Sequence, residues 1–316
     1  MTAEISFRVD AAVGGQVATQ VAWLFAPDDP AAARAVLVCL AGGSYDKHYW
    51  HLTVPGHAGY SFAEHMSARG YVVVAVDHLA TGGSTDPEAI ELGLPLLAAG
   101  DALVVTQIRE RLAAGTLVPA TPPGLPVIGV GHSMGACLTT MIQADAAVYD
   151  AVVLLGYGVQ IANVNDLELA GSDLDARVAE TMVHLRQAFG AADDAVSGYL
   201  PRPGIRPLFH GPDVPDAVVA ADDAVASRVP ILAASQVTTP GYVQQFAEKI
   251  TVPAFLGFGA AIDVSPGPHT EPGHYSQASE VTLYLVPGSG HCHNFAGART
   301  QLWDRIAAWL ASLQLG

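Results

Sequence analysis

Six short runs of apolar residues constrain the fold of this chain more than any other feature of its sequence. Each run is continuous rather than alternating with polar residues, as is typical of strands that are buried on both faces of a sheet. The runs cover residues 35–40, 71–76, 126–130, 151–155, 252–258 and 281–286. Helix-like segments separate or follow them, at residues 61–69, 101–112, 134–147 and 296–313. This alternation predicts an α/β fold with a mostly parallel sheet and helices on both of its faces.

The two ends of the chain carry further regular patterns. Residues 5–13 and 17–25 flank Gly14-Gly15, which predicts a hairpin with the two glycines in its turn. In the last helix candidate, apolar side chains recur at helical spacing along one stripe, made of Leu302, Ile306, Trp309 and Leu313. That stripe favours an amphipathic helix.

The regular alternation of strand and helix stops after Gly158 and resumes near Ile250. The stretch between them begins with an amphipathic segment, whose shared face holds Leu174, Val178, Met182, Leu185 and Phe189. It then becomes rich in proline. Because the chain afterwards returns to the same strand pattern, we interpret residues 159–245 as a cap inserted over the carboxyl edge of the sheet. Residues 1–158 and 246–316 would form the core, and a separate domain is the alternative.

The charge of the chain argues against several kinds of partner. Its 14 lysines and arginines and 30 acidic residues give a net charge of −16. Such a surface repels the phosphates of nucleic acids and of anionic membranes, so neither is an expected partner. Hydrophobic residues make up 51% of the chain and charged residues 14%, which is enough apolar material for a large buried core.

The sequence shows no sign of export or membrane insertion. Its first ten residues lack a basic segment followed by an apolar one. No apolar stretch reaches the roughly 18 residues of a membrane span. The three cysteines, Cys39, Cys137 and Cys292, are too widely spaced to indicate a disulfide framework. We therefore expect a cytoplasmic protein.

The strongest indication of chemistry is the sequence Gly131-His132-Ser133-Met134-Gly135, which lies between an apolar run and a helix candidate. It fits the G-x-S-x-G pattern of a serine on a sharp strand-to-helix turn. Glycines two residues before and after the serine allow the close backbone approach that such a turn requires. The start of the helix favours negative charge that develops near the hydroxyl. We interpret Ser133 as a catalytic nucleophile, and a small-residue packing turn is the alternative.

A serine hydroxyl needs a base, and the base needs an orienting carboxylate. His291 follows the last apolar run, in the sequence VPGSGHCHNF, and His293 is its rival two residues later. Asp263 comes a few residues after the preceding run, whereas Asp166 and Glu271 lie farther from a strand end. We therefore predict His291 as the base and Asp263 as the acid.

Acyl transfer also requires hydrogen-bond donors for the developing oxyanion. One donor is expected to be the backbone N–H of Met134, the residue after the nucleophile. The second is expected in the loop Ala41-Gly42-Gly43-Ser44, where paired glycines let a backbone N–H turn toward the substrate. Gly43 is the first choice and Ser44 the alternative, and an ordinary strand-ending turn is the non-catalytic interpretation.

Together these segments resemble the α/β-hydrolase superfamily over nearly the whole chain. The sequence AGGS is similar to its oxyanion loop, with Ala41 where many members have histidine. Residues 77–84 resemble its D-x-x-G-x-G-x-S loop, with Ala80 in place of the first glycine. The nucleophile, acid and histidine follow one another in the order of that superfamily. The resemblance implies an eight-stranded sheet whose second strand is antiparallel, and it implies no cofactor.

The resemblance leaves the reaction open, because this fold supports many chemistries. A serine nucleophile argues against dehalogenases and epoxide hydrolases, which use aspartate at that position. We interpret the chain as a serine hydrolase of a small or medium, largely apolar ester or lactone. The alternatives are a C–C hydrolase of β-diketone-like substrates and a non-catalytic ligand-binding homologue. The residues predicted to contact substrate are aromatic: Tyr157, Tyr199, Phe209 and Tyr242.

One more cluster of side chains offers possible metal ligands. His269, Glu271 and His274 are closely spaced in the sequence. Pro272 and Gly273 interrupt the helix that would place these three side chains on one face. We therefore expect no metal site, and the predicted reaction needs none.

Overall fold

A computed structural model describes residues 2–87, 90–161, 173–192 and 194–315 of the chain. The strands in these residues are β1 (Thr2–Arg8), β2 (Thr19–Phe25), β3 (Ala35–Leu40), β4 (Tyr71–Val76), β5 (Val127–His132), β6 (Ala151–Leu155), β7 (Ser197–Gly198), β8 (Val229–Pro230), β9 (Ala254–Gly259) and β10 (Val281–Val286). Each of the six continuous apolar runs forms a strand. Four of them, β3, β4, β6 and β10, have the predicted bounds.

Eight of the strands in the described residues form one sheet, in the order β1-β2-β4-β3-β5-β6-β9-β10. β2 pairs antiparallel with both of its neighbours, β1 and β4. The other neighbouring strands, from β4 across to β10, pair in parallel. The mostly parallel eight-stranded sheet with an antiparallel second strand is therefore confirmed. β7 and β8 form a separate two-stranded ladder.

The N-terminal hairpin is confirmed, but the connection between its strands is longer than a glycine turn. β1 ends at Arg8 and β2 begins at Thr19. The carboxylate of Asp10 accepts a hydrogen bond of 2.8 Å from Ala18 N and so closes the connection. Gly14, with φ of 66°, ends a single 3-10 turn inside it and is not part of a two-residue hairpin loop.

The helices in the described ranges are α1 (Phe62–Ser67), α2 (Leu94–Ala113), α3 (Met134–Ala146), α4 (Leu174–Ala188), α5 (Arg202–Phe209), α6 (Asp216–Ala224), α7 (Ile231–Thr238), α8 (Gln244–Ala247) and α9 (Arg299–Ser312). α2 begins earlier than the predicted start at residue 101. Pro95 lies in its first turn, where proline is tolerated. Gly100 lies inside the helix, where a Cβ would come within 2.9 Å of Gln20 Oε1. The close approach of Gln20 therefore favours glycine at this position. Of the described helices, none combines the length and the apolar character that crossing a bilayer requires.

Side chains of the central strands enter two apolar layers, one on each face of the sheet. In β3, Val36, Val38 and Leu40 belong to the layer that contains side chains of α2 and α3. Leu37 and Cys39 belong to the opposite layer, which contains side chains of α1 and α9. Every residue of β3 is buried. A strand in this position requires a continuous apolar sequence, because neither of its faces meets water.

The chain between β6 and β9 contains α4 to α8 and the β7–β8 ladder. α4 forms from the amphipathic segment that the sequence predicts, and Val178 and Leu185 are among its buried side chains. The start of this stretch is bonded to Glu271, whose fully buried carboxylate accepts hydrogen bonds from Val159 N at 2.8 Å and Gln160 N at 3.2 Å.

The parallel strands direct four loops to the same edge of the sheet. Gly43 follows β3, Ser133 follows β5, Asp263 follows β9 and His291 follows β10. The carboxyl ends of neighbouring parallel strands lie side by side, and ligands of open α/β sheets bind there. Residues that are far apart in the sequence therefore meet at one edge.

Candidate active site

Ser133 lies between the last residue of β5, His132, and the first residue of α3, Met134. Its backbone has φ of 53° and ψ of −121°, a conformation that residues with a side chain rarely adopt. Such a conformation costs roughly 1–3 kcal/mol, and it persists where the surrounding structure enforces it. The strain is concentrated at the residue that the sequence predicts as nucleophile.

Three glycines pack so closely around Ser133 that no side chain would fit at their positions. A Cβ on Gly135 would lie 2.0 Å from Leu40 O, and a Cβ on Gly131 would lie 2.3 Å from Gly135 O. A Cβ on Gly42 would lie 2.9 Å from Ser133 Cβ. The glycines thus allow the serine turn to lie directly against β3 and the loop that follows it.

The predicted histidine and carboxylate are hydrogen-bonded to each other. His291 Nδ1 lies 2.7 Å from Asp263 Oδ1 and donates its proton to the carboxylate. Asp263 also accepts backbone N–H bonds from Gly259 at 2.6 Å and Val264 at 2.8 Å. Burial raises the pKa of the Asp263 carboxyl, but the charges and hydrogen bonds of His291 and His293 together outweigh burial and hold that pKa far below its usual range. Asp263 is therefore an anion that fixes the tautomer of His291.

His293, the rival base, is bonded to the same carboxylate. Its Nε2 donates to Asp263 Oδ2 across 2.9 Å, while His291 uses the other oxygen. The His293 ring is fully buried. The described residues that line the neighbouring cavity include His291 but not His293. The two histidines are thus equal in their contact with Asp263 and differ in their access to the cavity.

His132, beside the nucleophile, points into the fold. Its ring is fully buried, and its Nε2 donates to the backbone carbonyl of His291 across 2.8 Å. Burial, followed by the charges of His291 and His293, lowers the pKa of His132 well below its usual range. A neutral His132 therefore supports the backbone of His291 without adding a charge to the site.

Both predicted oxyanion donors border the same cavity as Ser133. Met134 is the first residue of α3, and the first N–H groups of a helix have no partner within the helix. Gly43 belongs to the loop after β3 and also lines the cavity. Ser44, the alternative donor, is buried with φ of 68°, and its carbonyl accepts a hydrogen bond of 2.9 Å from Ser227 N.

A buried ion pair joins the segment after the oxyanion loop to the loop after β4, and the sequence analysis missed it. Lys47 Nζ lies 2.6 Å from Asp77 Oδ2, and Lys47 N donates to Asp77 Oδ1 across 2.8 Å. Gly83 N donates to Asp77 Oδ2, and Ser84 Oγ donates to the Asp77 carbonyl, both across 2.8 Å. Ala80, which replaces the first glycine of this loop, has φ of 61°. Breaking a buried pair of this kind by removing one partner costs about 3–5 kcal/mol.

Ser133 and His291 border one cavity of about 160 Å³. Its walls are mainly apolar and come from the chain between β6 and β9, including Leu185, Phe189, Leu200, Phe209, Val229 and Val237. Among the described residues that line it, none is lysine, arginine, aspartate or glutamate. The cavity therefore offers apolar surface to a ligand and little that could neutralise a charged one.

Of the four aromatic residues predicted to contact substrate, only Phe209 is among the described residues that line this cavity. Tyr157 is buried elsewhere, with its hydroxyl donating to Val237 O across 3.0 Å. Tyr242 packs in the apolar layer of α2 and α3. Tyr199 is 59% exposed. The structure thus brings Phe209 to this cavity and places the three tyrosines outside its described lining, because an aromatic residue can serve the core or the surface of an insertion as readily as its ligand face.

Glu271 and Asp166 are the weaker candidates for the catalytic acid, and Glu271 is also one of the possible metal ligands. The carboxylate of Glu271 is occupied by Val159 N, Gln160 N and the hydroxyl of Ser265, the last at 2.7 Å. Within the described part of the chain, no group of three or more histidine, cysteine, aspartate or glutamate side chains is arranged to hold a metal ion. Asp166 lies outside the described residues.

Several residues of the cavity wall were not identified from the sequence. Leu200 precedes α5, Val229 lies in β8, and Val237 lies in α7. These elements are short, so no hydrophobic period develops that could show which side chains are buried. In α4, by contrast, the helical period of the sequence includes Leu185 and Phe189, and both line the cavity.

Comparison with known proteins gives a family match by sequence. Residues 37–301 match the model of the alpha/beta hydrolase family. That range includes the turn of Ser133 as well as Asp263 and His291. No curated protein matches the chain at a significant level.

Solved structures of similar fold cover nearly all of the chain. An esterase from Thermogutta terrifontis, solved with malate bound, aligns with a TM-score of 0.68 at 11% identity over 98% of each chain. A monoacylglycerol lipase of Paleococcus ferrophilus aligns with a TM-score of 0.62 at 15% identity over 99% of each chain. Est1E from Butyrivibrio proteoclasticus, with ferulic acid bound, aligns with a TM-score of 0.58 at 14% identity over 97% of this chain and 98% of its own. At these identities the similarity establishes the fold alone.

Proposed function

Because this chain belongs to the alpha/beta hydrolase family, we propose that it is a serine hydrolase that cleaves a small or medium, largely apolar carboxylic ester or lactone. One observation carries the proposal. Ser133, in its strained turn, and His291, bonded to the Asp263 anion, border the same apolar cavity. This combination supplies a nucleophile, a base with a fixed tautomer and a binding surface for an acyl group.

In the first half of the proposed reaction, Ser133 Oγ attacks the carbonyl carbon of the substrate while His291 Nε2 accepts the hydroxyl proton. The backbone N–H groups of Met134 and Gly43 donate to the carbonyl oxygen as it becomes negative. Asp263 stabilises the imidazolium that forms. His291 then gives its proton to the leaving alcohol as the carbon–oxygen bond breaks, which leaves an acyl group on Ser133.

In the second half, water attacks the acyl carbon and His291 Nε2 accepts one of its protons. The oxyanion forms again between the same two backbone donors. When it collapses, Ser133 Oγ leaves and recovers a proton from His291. The carboxylic acid departs, and every side chain regains its initial protonation state, so the cycle needs no co-reactant besides water.

The cavity lining supports neutral, apolar acyl groups as substrates. An aliphatic or aromatic chain would displace water from Leu185, Phe209 and Val237, which gains about 25 cal/mol for each Å² of apolar surface buried. A charged acyl group would lose its hydration without meeting an opposite charge among the described lining residues. A volume of about 160 Å³ suits small or medium acyl groups better than long ones.

We propose that residues 159–245 form the cap over this site, carried by a core of residues 1–158 and 246–316. Support comes from α4, α5 and α7, whose apolar side chains border the same cavity as Ser133. Acidic residues of the same stretch, such as Asp175 and Asp216, are exposed. Apolar side chains of the stretch thus meet the site, and these two carboxylates meet water.

Covalent labelling combined with a substrate panel tests the proposed function. A fluorophosphonate should label the protein once, at Ser133, as detected by intact mass and peptide mapping. A panel of neutral esters, anionic esters, lactones and β-diketones should show the highest kcat/KM for neutral esters or lactones. Diketone cleavage without ester turnover would instead indicate a C–C hydrolase, and failure of both labelling and turnover would indicate a ligand-binding protein.

Shortening the side chain of Phe209 is expected to change the preference for acyl chain length. Phe209 lines the cavity, and its ring centroid lies 5.6 Å from that of His291. In Phe209→Leu, the ratio of kcat/KM for an octanoyl ester to that for a butyryl ester should rise by about 10-fold, because apolar pockets discriminate by a few kcal/mol per group. Tyr242→Leu is the matched control, since Tyr242 lies outside the described lining. Equal ratios in Phe209→Leu and the wild type, or faster turnover of anionic esters, would contradict the proposed cap and its substrate class.

A further inference from the structure

The carboxyl end of α5 is bonded directly to the loop that carries His291. His291 N donates to Leu208 O across 2.8 Å, and Cys292 N donates to Phe209 O across 2.9 Å. A Cβ on Gly290 would lie 2.8 Å from Leu208 O, so the two main chains are in contact with no room for a side chain between them. The helix in the proposed cap thus supplies the acceptors for the backbone N–H groups of the proposed base and of the residue after it.

The start of the same helix is bonded to the oxyanion loop. Arg202, the first residue of α5, is 6% exposed. Its Nη2 donates to Ser44 O across 2.9 Å, and its Nη1 donates to the hydroxyl of Tyr45 across 3.0 Å. The Ser44 carbonyl also accepts a hydrogen bond of 2.9 Å from Ser227 N, so it has two donors from the same stretch of chain.

The charge of Arg202 is balanced inside this cluster. Asp222 Oδ2, on α6, accepts hydrogen bonds from Arg202 Nη1 at 2.8 Å, the Tyr45 hydroxyl at 3.0 Å and His210 Nε2 at 3.1 Å. Since the only hydroxyl proton of Tyr45 goes to Asp222, the Cys292 thiol donates to Tyr45 Oη across their separation of 3.1 Å. Burial raises the pKa of that thiol well above its usual range, which keeps the proton in place. Tyr45 therefore bridges the oxyanion loop and the histidine loop.

We propose that α5 is a fixed strut which positions both halves of the catalytic machinery, with Arg202 as a positioning residue for the oxyanion loop. The inference builds on the proposed serine-hydrolase function. The proposed cap would then hold the groups that stabilise the transition state in place, in addition to covering the substrate. α5 also stays in place when substrate enters, because moving it would break a buried ion pair and two backbone hydrogen bonds.

The backbone of Ser44 explains why the oxyanion loop needs this support. Its φ of 68° lies in the left-handed region, which is unfavourable for a residue with a Cβ. The two donors to the Ser44 carbonyl hold the peptide plane that Ser44 shares with Tyr45. Tyr45 N donates to Gly42 O across 3.2 Å, so the same plane closes the turn that contains Gly43. A planar guanidinium can reach the Ser44 carbonyl, the Tyr45 hydroxyl and the Asp222 carboxylate at once, whereas an ammonium group cannot match that geometry.

Arg202→Lys tests the strut while keeping the positive charge beside Asp222. Its kcat for a neutral ester should fall by roughly 10- to 100-fold with KM changed by about 3-fold or less, because misplaced donors cost transition-state stabilisation and leave ground-state binding intact. An alkyl trifluoromethyl ketone, whose bound adduct carries an oxyanion, should lose affinity by the same factor as kcat/KM. If Arg202 had a purely structural role, Arg202→Lys would change the melting temperature without lowering kcat selectively at a nearly constant KM.

Arg206→Lys is the matched control on the same helix. Arg206 is half-exposed, and its ion pair with Asp223 lies on the exposed side of the cluster. This variant should keep kcat within about 2-fold of the wild type, as exposed ion pairs contribute little. Tyr45→Phe is a milder second variant that keeps the ring, removes the bridge to Asp222 and Cys292, and should lower kcat in the same direction as Arg202→Lys.

The outcomes separate this inference from the function on which it builds. A wild type that neither reacts with a fluorophosphonate at Ser133 nor turns over esters overturns the proposed function and the strut together. If the wild type is labelled and active, and Arg202→Lys and Tyr45→Phe have the same kcat as the wild type, the strut alone is overturned. The same holds for a rise in KM at unchanged kcat, which would place Arg202 in substrate binding. If Arg202→Lys does not fold, the kcat of Tyr45→Phe decides the question.

Discussion

Ser133→Ala is expected to lower kcat/KM by roughly 10⁴-fold or more for every ester that the protein hydrolyses. The substitution removes the only atom that can form the acyl-enzyme and leaves the oxyanion donors and cavity in place. It also keeps a Cβ at the strained position, so the backbone conformation and the stability of the fold should change little. The measurement is steady-state kinetics on the best neutral ester, together with the melting temperature of each variant.

Ser235→Ala provides the matched control for that experiment. Ser235 is fully buried in α7, and its hydroxyl donates to the carbonyl of Ile231 across 2.7 Å within the helix. Losing such a bond costs about 1 kcal/mol of stability and should change kcat/KM by less than about 3-fold. Comparable activity in Ser133→Ala and Ser235→Ala would remove Ser133 from the mechanism.

His291→Ala and His293→Ala are expected to differ widely although both side chains bond to Asp263. His291→Ala removes the proposed base, which borders the cavity, and should lower kcat by roughly 10⁴-fold. His293→Ala leaves His291 on the carboxylate, and the N–H groups of Gly259 and Val264 still bond to Asp263. Its cost in kcat should therefore be about 10-fold or less, because the proposed base and its own hydrogen bond to the carboxylate remain in place.

Single-turnover kinetics with an activated ester measure this difference at the acylation step. The two variants match each other as controls, since each removes one buried imidazole from the same carboxylate. Equal rates of acylation in both variants would leave the assignment of the base unsupported. A larger loss in His293→Ala would reverse it.

The sheet and the serine turn could be predicted from the sequence because the physical requirements behind them are local. A strand buried on both faces must be apolar throughout, so the bounds of β3 are visible in residues 35–40. The turn at Ser133 needs glycine at two fixed positions, since a Cβ on Gly135 would lie 2.0 Å from Leu40 O. Such requirements leave a signature within a few residues of the position where they act.

The pairing of His291 with Asp263 could be predicted because each follows a strand directly and parallel strands end at one edge. Sequence order alone could not favour His291 over His293, since the side chains of two loop residues two positions apart have no fixed direction relative to each other. Both side chains reach Asp263, and only the cavity distinguishes them. The prediction of His291 as base therefore depended on its proximity to the strand.

The stretch that we propose as a cap could be delimited in the sequence, but its contacts could not be predicted. Arg202, Asp222 and Tyr45 are brought together by three separate elements, and no spacing in the sequence relates them. The same limit explains the tyrosines. Aromatic residues such as Tyr157, Tyr199 and Tyr242 are common in ligand sites, but the packing of short helices such as α7 decides which side chains face the cavity.

The buried pair of Lys47 with Asp77 has a practical consequence for coupling chemistry. The sequence contains only two lysines, Lys47 and Lys249. The side chain of Lys47 is 7% exposed and bonded to Asp77, whereas that of Lys249 is 54% exposed. Lys249 precedes β9, at the edge of the sheet opposite to the loop of Asp263. Among side chains, amine-directed immobilisation would therefore attach the protein through this one position, with the cavity turned away from the support.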